Sequence, residues 1–373
     1  MNNAQTLTQH FNQTLQDQPC LSKGLLLPLT DYAIAIRSNS HELLTELADY
    51  FHLEMTLQLD SAEIAVQAIE TDDYLKVGKH WPDWAREAGK TGRKETFVDA
   101  EDGRFIYKIK TGMVFWQNAE RPCAFGPIVQ HPNQVINFVL SQYLNHHLRQ
   151  GWLLGHAAGL QIDGKGVAIA GLSGGGKSTL MLHLLEQGQH FISNDRLLIT
   201  PQTTEKTPRP GRFWMRGIPK QPRINPGTVV HNARLQSLIP AERRHQLLAL
   251  SASKLRHLEE KVDADVDQLF HAGCTQSQAP LHLLVVLNWS TTTNQPTQAR
   301  LTNLAQSPEL LPALIKSAGP FFADTQGQFL ANQTRPDANA YLTQLANLPC
   351  LEISGHLDFL QARDAVLEQI QSL

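Results

Sequence analysis

The run Gly171-Leu172-Ser173-Gly174-Gly175-Gly176-Lys177-Ser178-Thr179 constrains this chain more than any other stretch. Four glycines precede or interrupt a turn that ends in Lys-Ser-Thr, the pattern G-x-x-x-x-G-K-[ST]. Both flanks agree with it. Gly166-Val167-Ala168-Ile169-Ala170 is short, apolar and partly β-branched, which predicts a buried strand running into the loop. Thr179 to Gln187 is rich in helix formers, and Gly188 stands where a helix would stop. Strand, glycine loop and helix together make a phosphate cradle, a P-loop. Glycines let successive backbone N–H groups point inward, and the helix presents its positive end to the same anion. Gly171, Ser173, Gly174, Gly175, Gly176, Lys177, Ser178 and Thr179 are therefore the nucleotide-binding candidates. Lys177 is expected at the β- and γ-phosphates of ATP, and the Ser178 hydroxyl in the shell of Mg2+.

Composition narrows the setting. A length of 373 residues with 42% hydrophobic and 18% charged content describes a globular protein with room for more than one core. A net charge of −3 implies no general attraction to nucleic acid or to an anionic membrane. No apolar run reaches the ~18 residues of a membrane span. The polar start, Met1 to Gln18, has no signal-peptide core, so a cytoplasmic location is expected. Cys20, Cys123, Cys274 and Cys350 lie far apart and form no C-x-x-C pair, which argues against a zinc knuckle or a disulfide framework. The 16 histidines form no H-E-x-x-H or similar metal spacing.

Taken in order, residues 1–30 read as a loosely packed start. Tyr32 to Arg37 alternates as a strand, and Ser40 is placed to cap a helix from His41 to Phe51 with Leu43, Leu44 and Leu47 on one face. Glu63 to Glu70 reads as another strand, and Lys94–Val98, Gly103–Lys110 and Gly112–Gln117 as an antiparallel meander. The basic residues Lys76, Lys79, Arg86, Lys90, Arg93 and Lys94 read as a solvated loop. Together these predict an α+β domain over residues 1–127. A P-loop domain is expected over residues 128–373. It begins with a helix from Asn133 to Arg149 and the hairpin of Gly155–Ile162 with Val167–Ala170 about Asp163-Gly164. Farther on come a buried strand Leu281–Leu287, a helix Pro308–Ala318, a strand Leu351–Ser354 and a C-terminal helix Leu357–Leu373. Residues 201–261 carry 12 Lys/Arg against 4 Asp/Glu, and Arg209, Arg212, Arg216, Lys220 and Arg223 are interleaved with Pro and Gly. That is a basic loop. Glu259, Glu260, Asp263, Asp265 and Asp267 then reverse the sign, as a solvated face, a metal site or an internal partner for that loop.

A P-loop alone does not define a reaction; its partner carboxylate is informative. Leu283–Leu287 ends in Asn288-Trp289 and offers no late Walker B acid, and no N/T-K-x-D guanine motif occurs. The acid that does end an apolar run is Asp195, in His190-Phe191-Ile192-Ser193-Asn194-Asp195-Arg196. A P-loop followed so soon by a carboxylate resembles the HPr kinase/phosphorylase family and, more distantly, ATP-dependent phosphoenolpyruvate carboxykinase. The similarity runs from Gly155 to Ile199, and Met215-Arg216-Gly217-Ile218 looks like the family's Arg-Gly signature loop. Residues 216–230 look still more like the HPr kinase-related proteins designated kinase B, whose genes neighbour those of ATP-grasp enzymes. The resemblance implies an α/β C-terminal P-loop domain of the HPr kinase/phosphoenolpyruvate carboxykinase type, preceded by a smaller α+β domain. It also implies ATP and Mg2+ as cofactors and a homo-oligomer, with an ATP-grasp gene neighbour as a possible partner. Asp195, His156, Lys177 and Arg216 become the catalytic candidates, and Ser178 and Asp195 the metal ligands. Asn194, Lys220 and Arg223 become candidates for binding the acceptor. Two positions depart from the family. Its first aspartate, thought to be the general base, is Asn194 here, and the Glu two places before the signature Arg is Trp214.

The expected activity is an ATP-dependent, Mg2+-requiring kinase acting on a hydroxyl of a protein serine or of a small molecule. A nucleotide-binding regulatory or scaffold module with little catalysis is the alternative, motivated by Asn194 and Trp214. A decarboxylating carboxykinase would need a second metal site of His, Lys and Asp, for which the sequence shows no pattern.

Overall fold

The computed structural model describes residues 4–73, 77–86, 92–172, 175–201, 213–251, 254–255, 258, 260–290 and 292–373. Ser173 and Gly174 of the P-loop, and Lys76, Lys90, Arg209, Arg212 and Glu259, lie outside the described residues. Backbone contacts divide the chain into Met1–Gln150 with Ala318–Arg335, and Gly151–Ser317 with Pro336–Leu373.

The first unit is built on a mixed sheet. Its strands run in the order Met55–Thr56, Gly24–Leu29, Tyr32–Ser38, Ile64–Glu70, Cys123–Gly126, Val114–Asn118, Gly103–Lys108, Glu95–Ala100. Tyr32–Ser38 pairs parallel with Ile64–Glu70, so the helix His41–Phe51 is a crossover. That helix is capped as its sequence predicts: Ser40 Oγ accepts from Leu43 N–H at 3.2 Å, and Leu43, Leu44 and Leu47 are buried. The loose N-terminal start is not what folds. Ala4–Asp17 is a helix whose Leu7 and Phe11 are buried, Phe11 against Phe105 and Phe125 at ring centroids 4.8 and 4.4 Å apart. Its apolar stripe is thin, and the Asn and Gln around it hide the period from a composition reading.

The helix Pro132–Arg149 belongs to this unit rather than opening the second at residue 128. Phe138 packs on Phe115 with centroids 4.9 Å apart, and the buried amides of Gln142 and Gln117 bond each other. Residues of the 318–335 segment join the same unit: Asn145 and Arg149 donate to the carbonyls of Phe321 and Ala323, both at 2.8 Å. Those contacts are long in sequence, which is why no local pattern announces them.

The second unit carries the P-loop on a strongly apolar sheet. Its path is His190–Ser193, Ala157–Ile162, Lys165–Gly171, Gln278–Ser290, Phe213–Arg216, Leu197–Pro201, Leu153–Gly155. Pro349–His356 joins Gln278–Ser290 in parallel and Gln298–Asn303 antiparallel. The P-loop strand pairs antiparallel with Ala157–Ile162 and parallel with Gln278–Ser290. Asp163 and Gly164 turn the antiparallel pair with φ of 49° and 81°, the two left-handed residues of a type I′ hairpin. Residues alternate between two buried layers: Val167, Ile169, Leu283 and Val285 face one, Ala168, Ala170, Leu284 and Val286 the other. The helices Lys177–Leu185 and Phe359–Ser372 cover the first layer, and Ala338–Leu345 the second. The expected helix Pro308–Ala318 is a 3-10 turn, Pro308–Ala313, because Pro312 has no N–H to continue an α-helix. No helix among the described residues is long and apolar enough to cross a membrane.

Candidate functional site

The candidate site is assembled where the strands of the second unit end. Lys165–Gly171 delivers the chain to the loop, and the helix Lys177–Leu185 leaves it. Gly176 stands at the helix N-cap with φ 87° and no side-chain cap, and a helix N-terminus of this kind favours an anion. A Cβ at Gly175 would lie 2.9 Å from the Leu172 carbonyl oxygen, and one at Gly176 would lie 2.6 Å from the Phe359 ring. The two glycines are thus required by space, and the second also by conformation. Trp289, where a Walker B acid would stand, instead donates its indole N–H to the Gly175 carbonyl at 2.8 Å. Lys177 is buried and folds back so that Nζ donates to the Gly171 carbonyl at 2.8 Å. Thr179 Oγ1 lies 3.2 Å from Thr228 Oγ1.

The loop meets the acidic turn at Ser178, whose Oγ donates to Asn194 Oδ1 at 3.0 Å. Asn194 and Asp195 form the turn between His190–Ser193 and Leu197–Pro201, and Asp195 has a left-handed φ of 74°. Few residues other than Gly tolerate that region, Asp and Asn being among them. Asp195 Oδ1 lies 3.0 Å from His156 Nε2, and its Oδ2 lies 3.4 Å from Lys316 Nζ. Burial of the carboxyl would raise its pKa, but the hydrogen bond from His156 and the charges of Lys316 and Arg196 outweigh it and hold Asp195 well below the usual carboxylate range. The carboxylate side chain is still 57% exposed, so pairing is partly screened by water.

His156 occupies a break between the strands Leu153–Gly155 and Ala157–Ile162. Its N–H donates to the Leu314 carbonyl at 2.6 Å, and Lys316 N–H donates to the Leu154 carbonyl at 3.2 Å. One short bridge therefore positions both partners of Asp195. Lys316 carries no signal in the sequence, because its role depends on Pro312 ending the turn and on the chain then joining a strand far upstream.

The remaining candidates divide. Arg216, at the end of Phe213–Arg216, is 9% exposed; its Nη2 donates to Gln278 Oε1 at 3.0 Å and its guanidinium lies over the Trp152 ring at 4.9 Å. Gln278 belongs to the neighbouring strand and Trp152 immediately precedes Leu153–Gly155. Gly217 after Arg216 approaches so closely that a Cβ would stand 1.9 Å from the Ile192 carbonyl oxygen, which fastens the Arg-Gly loop to the strand His190–Ser193 that leads to Asn194. Lys220 is held among charges: burial first, then Arg196 and Arg223, push its pKa down to about 8, with Asp263 and Asp195 opposing. Arg223 pairs with Asp263 at 3.4 Å and donates to the Lys261 carbonyl at 3.1 Å, and Arg223–Ile224 pairs antiparallel with Val262–Asp263. Part of the acidic run is thus an internal partner of the basic loop.

No family model matches the chain, and no curated protein does. Among solved structures it is similar to the Hpr(Ser) kinase/phosphatase from Coxiella burnetii, at 14% identity and a TM-score of 0.30, over 59% of this chain and 91% of that one. A similarity of this size carries nothing about chemistry, which rests on the residues above.

Proposed function

We propose that the chain is an ATP-dependent, Mg2+-requiring phosphotransferase of the HPr kinase-related type, kinase B group, acting on a hydroxyl of a protein serine or a small molecule. The observation that carries this reading is the junction of the P-loop, through Ser178–Asn194, with the His156–Asp195–Lys316 cluster. The residues fit the ligands in kind. The uncapped first turn and the Gly175–Gly176 backbone suit a polyphosphate, and the oxygens of Ser178, Asn194 and Asp195 suit a hard cation. Lys177 would leave the Gly171 carbonyl for the β- and γ-phosphates, and Ser178 and Asp195 would hold the Mg2+, which neutralises charge on the phosphates when bound.

Transfer forms a bond from the acceptor oxygen to the γ-phosphorus, breaks the bond to the β–γ bridging oxygen and releases a hydroxyl proton. With Asp195 assigned to the Mg2+, His156, its Nε2 3.0 Å from that carboxylate, would take the proton. Lys316 keeps that carboxylate oriented, and Lys220 supplies positive charge for an anionic acceptor. The test is ATP turnover with candidate acceptors, including proteins encoded beside this one. Lys177→Ala is expected to cost about 10²-fold or more, and equal turnover in both proteins would sink the proposal. Asn194 favours a second reading, a nucleotide-responsive docking module, since an amide cannot accept a proton as a base. Tight ATP binding without transfer to any of those acceptors is its signature.

A further inference from the structure

Away from the P-loop, within the first unit, Asp31, His146 and His147 bring one ligand atom each to within 4.8 Å of one another. Asp31 sits on the two-residue turn joining Gly24–Leu29 to Tyr32–Ser38, and the histidines lie near the end of Pro132–Arg149. We infer that these three residues bind a borderline divalent transition ion of the Zn2+ class, as a two-imidazole, one-carboxylate site.

Three observations support it. His147 Nε2 and Asp31 Oδ1 are 3.5 Å apart, at the outer limit of a hydrogen bond. Two ligands about 2.1 Å from one ion at a tetrahedral angle stand about 3.4 Å apart. The spacing therefore matches two ligands sharing an ion. Secondly, the His147 ring is fully buried and packs edge-on against Tyr143, centroids 4.4 Å apart, while His146 stacks on Tyr32 at 4.3 Å. The Gln150 amide lies 2.9 Å from His146 Nε2. Such outer contacts orient ligating imidazoles and tune their affinity. Thirdly, Asp31 is exposed and His146 half-buried, so the wider separations can close by rotation of those two side chains while His147 stays fixed. Two imidazoles and one carboxylate leave a coordination position for water and select Zn2+, Co2+ or Fe2+ over Mg2+, which takes oxygen ligands. This site is separate in chemistry from the Mg2+ proposed at Ser178 and Asp195.

The experiment titrates chelator-treated full-length protein with Zn2+, and with Co2+ read by its visible absorption, comparing wild type with Asp31→Asn and His146→Gln. Both substitutions are at accessible positions, and circular dichroism without metal checks that the fold is kept. Wild type should take up one equivalent that each variant binds at least about 100-fold more weakly, more than the roughly 10- to 100-fold that loss of an outer partner costs. Absence of uptake by wild type overturns the inference. So does uptake that persists at unchanged affinity in folded Asp31→Asn and His146→Gln, which would place the ion on other histidines or at Asp195.

Discussion

Alanine at Gly176 separates two physical demands on the phosphate loop. The φ of 87° would cost an L-residue about 1–2 kcal/mol. The new methyl would also stand 2.6 and 2.7 Å from Cε1 and Cζ of Phe359, an overpacking worth about 1–3 kcal/mol. Gly176→Ala should therefore destabilise by about 2–5 kcal/mol in total. Phe359→Ala removes the ring and leaves only the backbone cost, so Gly176→Ala in that background should cost about 1–2 kcal/mol. The coupling between the two sites should equal the overpacking, about 1–3 kcal/mol. Denaturant unfolding of the four proteins measures it, with ATP affinity followed in parallel. Because the amide direction depends on φ, the affinity loss should be similar in both backgrounds. Coupling below about 0.5 kcal/mol would refute the reasoning, since it would mean that the C-terminal helix does not cover the loop through Phe359.

Other outcomes follow from the Asp195 rim. Lys316→Met removes a pair at 3.4 Å whose carboxylate is more than half exposed, so it should cost only about 1 kcal/mol of stability near pH 7. Asp195 is held low in the folded state, so the stability tied to it is present above the unfolded carboxylate pKa of about 4 and fades as pH falls below it; the variant and wild-type unfolding curves should converge in acid. Phosphoryl transfer should fall by at least tenfold in kcat/KM, and a loss no larger than the roughly fivefold worth of 1 kcal/mol would reduce Lys316 to a structural contact. Lys220, depressed to about 8, is cationic below that pH and neutral above it, so anion-dependent kcat/KM should decline above pH 8. Lys220→Arg should move that limb beyond pH 10, arginine staying charged throughout. Gly217→Ala, with its Cβ 1.9 Å from the Ile192 carbonyl oxygen, should lower the melting temperature and shift the Asn194–Asp195 turn, read as a loss of ATP turnover that exceeds the loss of folded protein.

Local patterns announced the parts whose physics is local. The helix His41–Phe51 with its Ser40 cap, the Asp163-Gly164 hairpin, and strand, loop and helix about Lys177 depend on residues within one or two turns of each other. The same holds for the turn at Asn194-Asp195, where an apolar run stops at a carboxylate. Elements whose deciding contact is remote leave no such local pattern. By its place in the sequence helix Pro132–Arg149 belongs with the strands that follow it, but its apolar face is matched by Phe115 and by the segment after Ala318. The helix Ala4–Asp17 is carried by Leu7 and Phe11 inserting among Phe105 and Phe125, and nothing near it in sequence reveals that pocket.

The sequence by itself determined the strand and helix that flank the glycine loop and the identity of its polar ends, because an apolar β-branched run and a run of helix formers on either side of the glycines are local signals. Tertiary structure alone decided which groups meet there. Lys316 reaches Asp195 only because Leu314 and Lys316 hydrogen-bond to the broken strand at His156 and Leu154. Trp289 and Phe359 close on Gly175 and Gly176 from a strand and a helix more than a hundred residues downstream. Arg216, a catalytic candidate by its motif, is turned toward Gln278 and Trp152 by its place in the sheet. Charge, burial and reach are properties of neighbours in space, and the chain order does not encode them until the strands have paired.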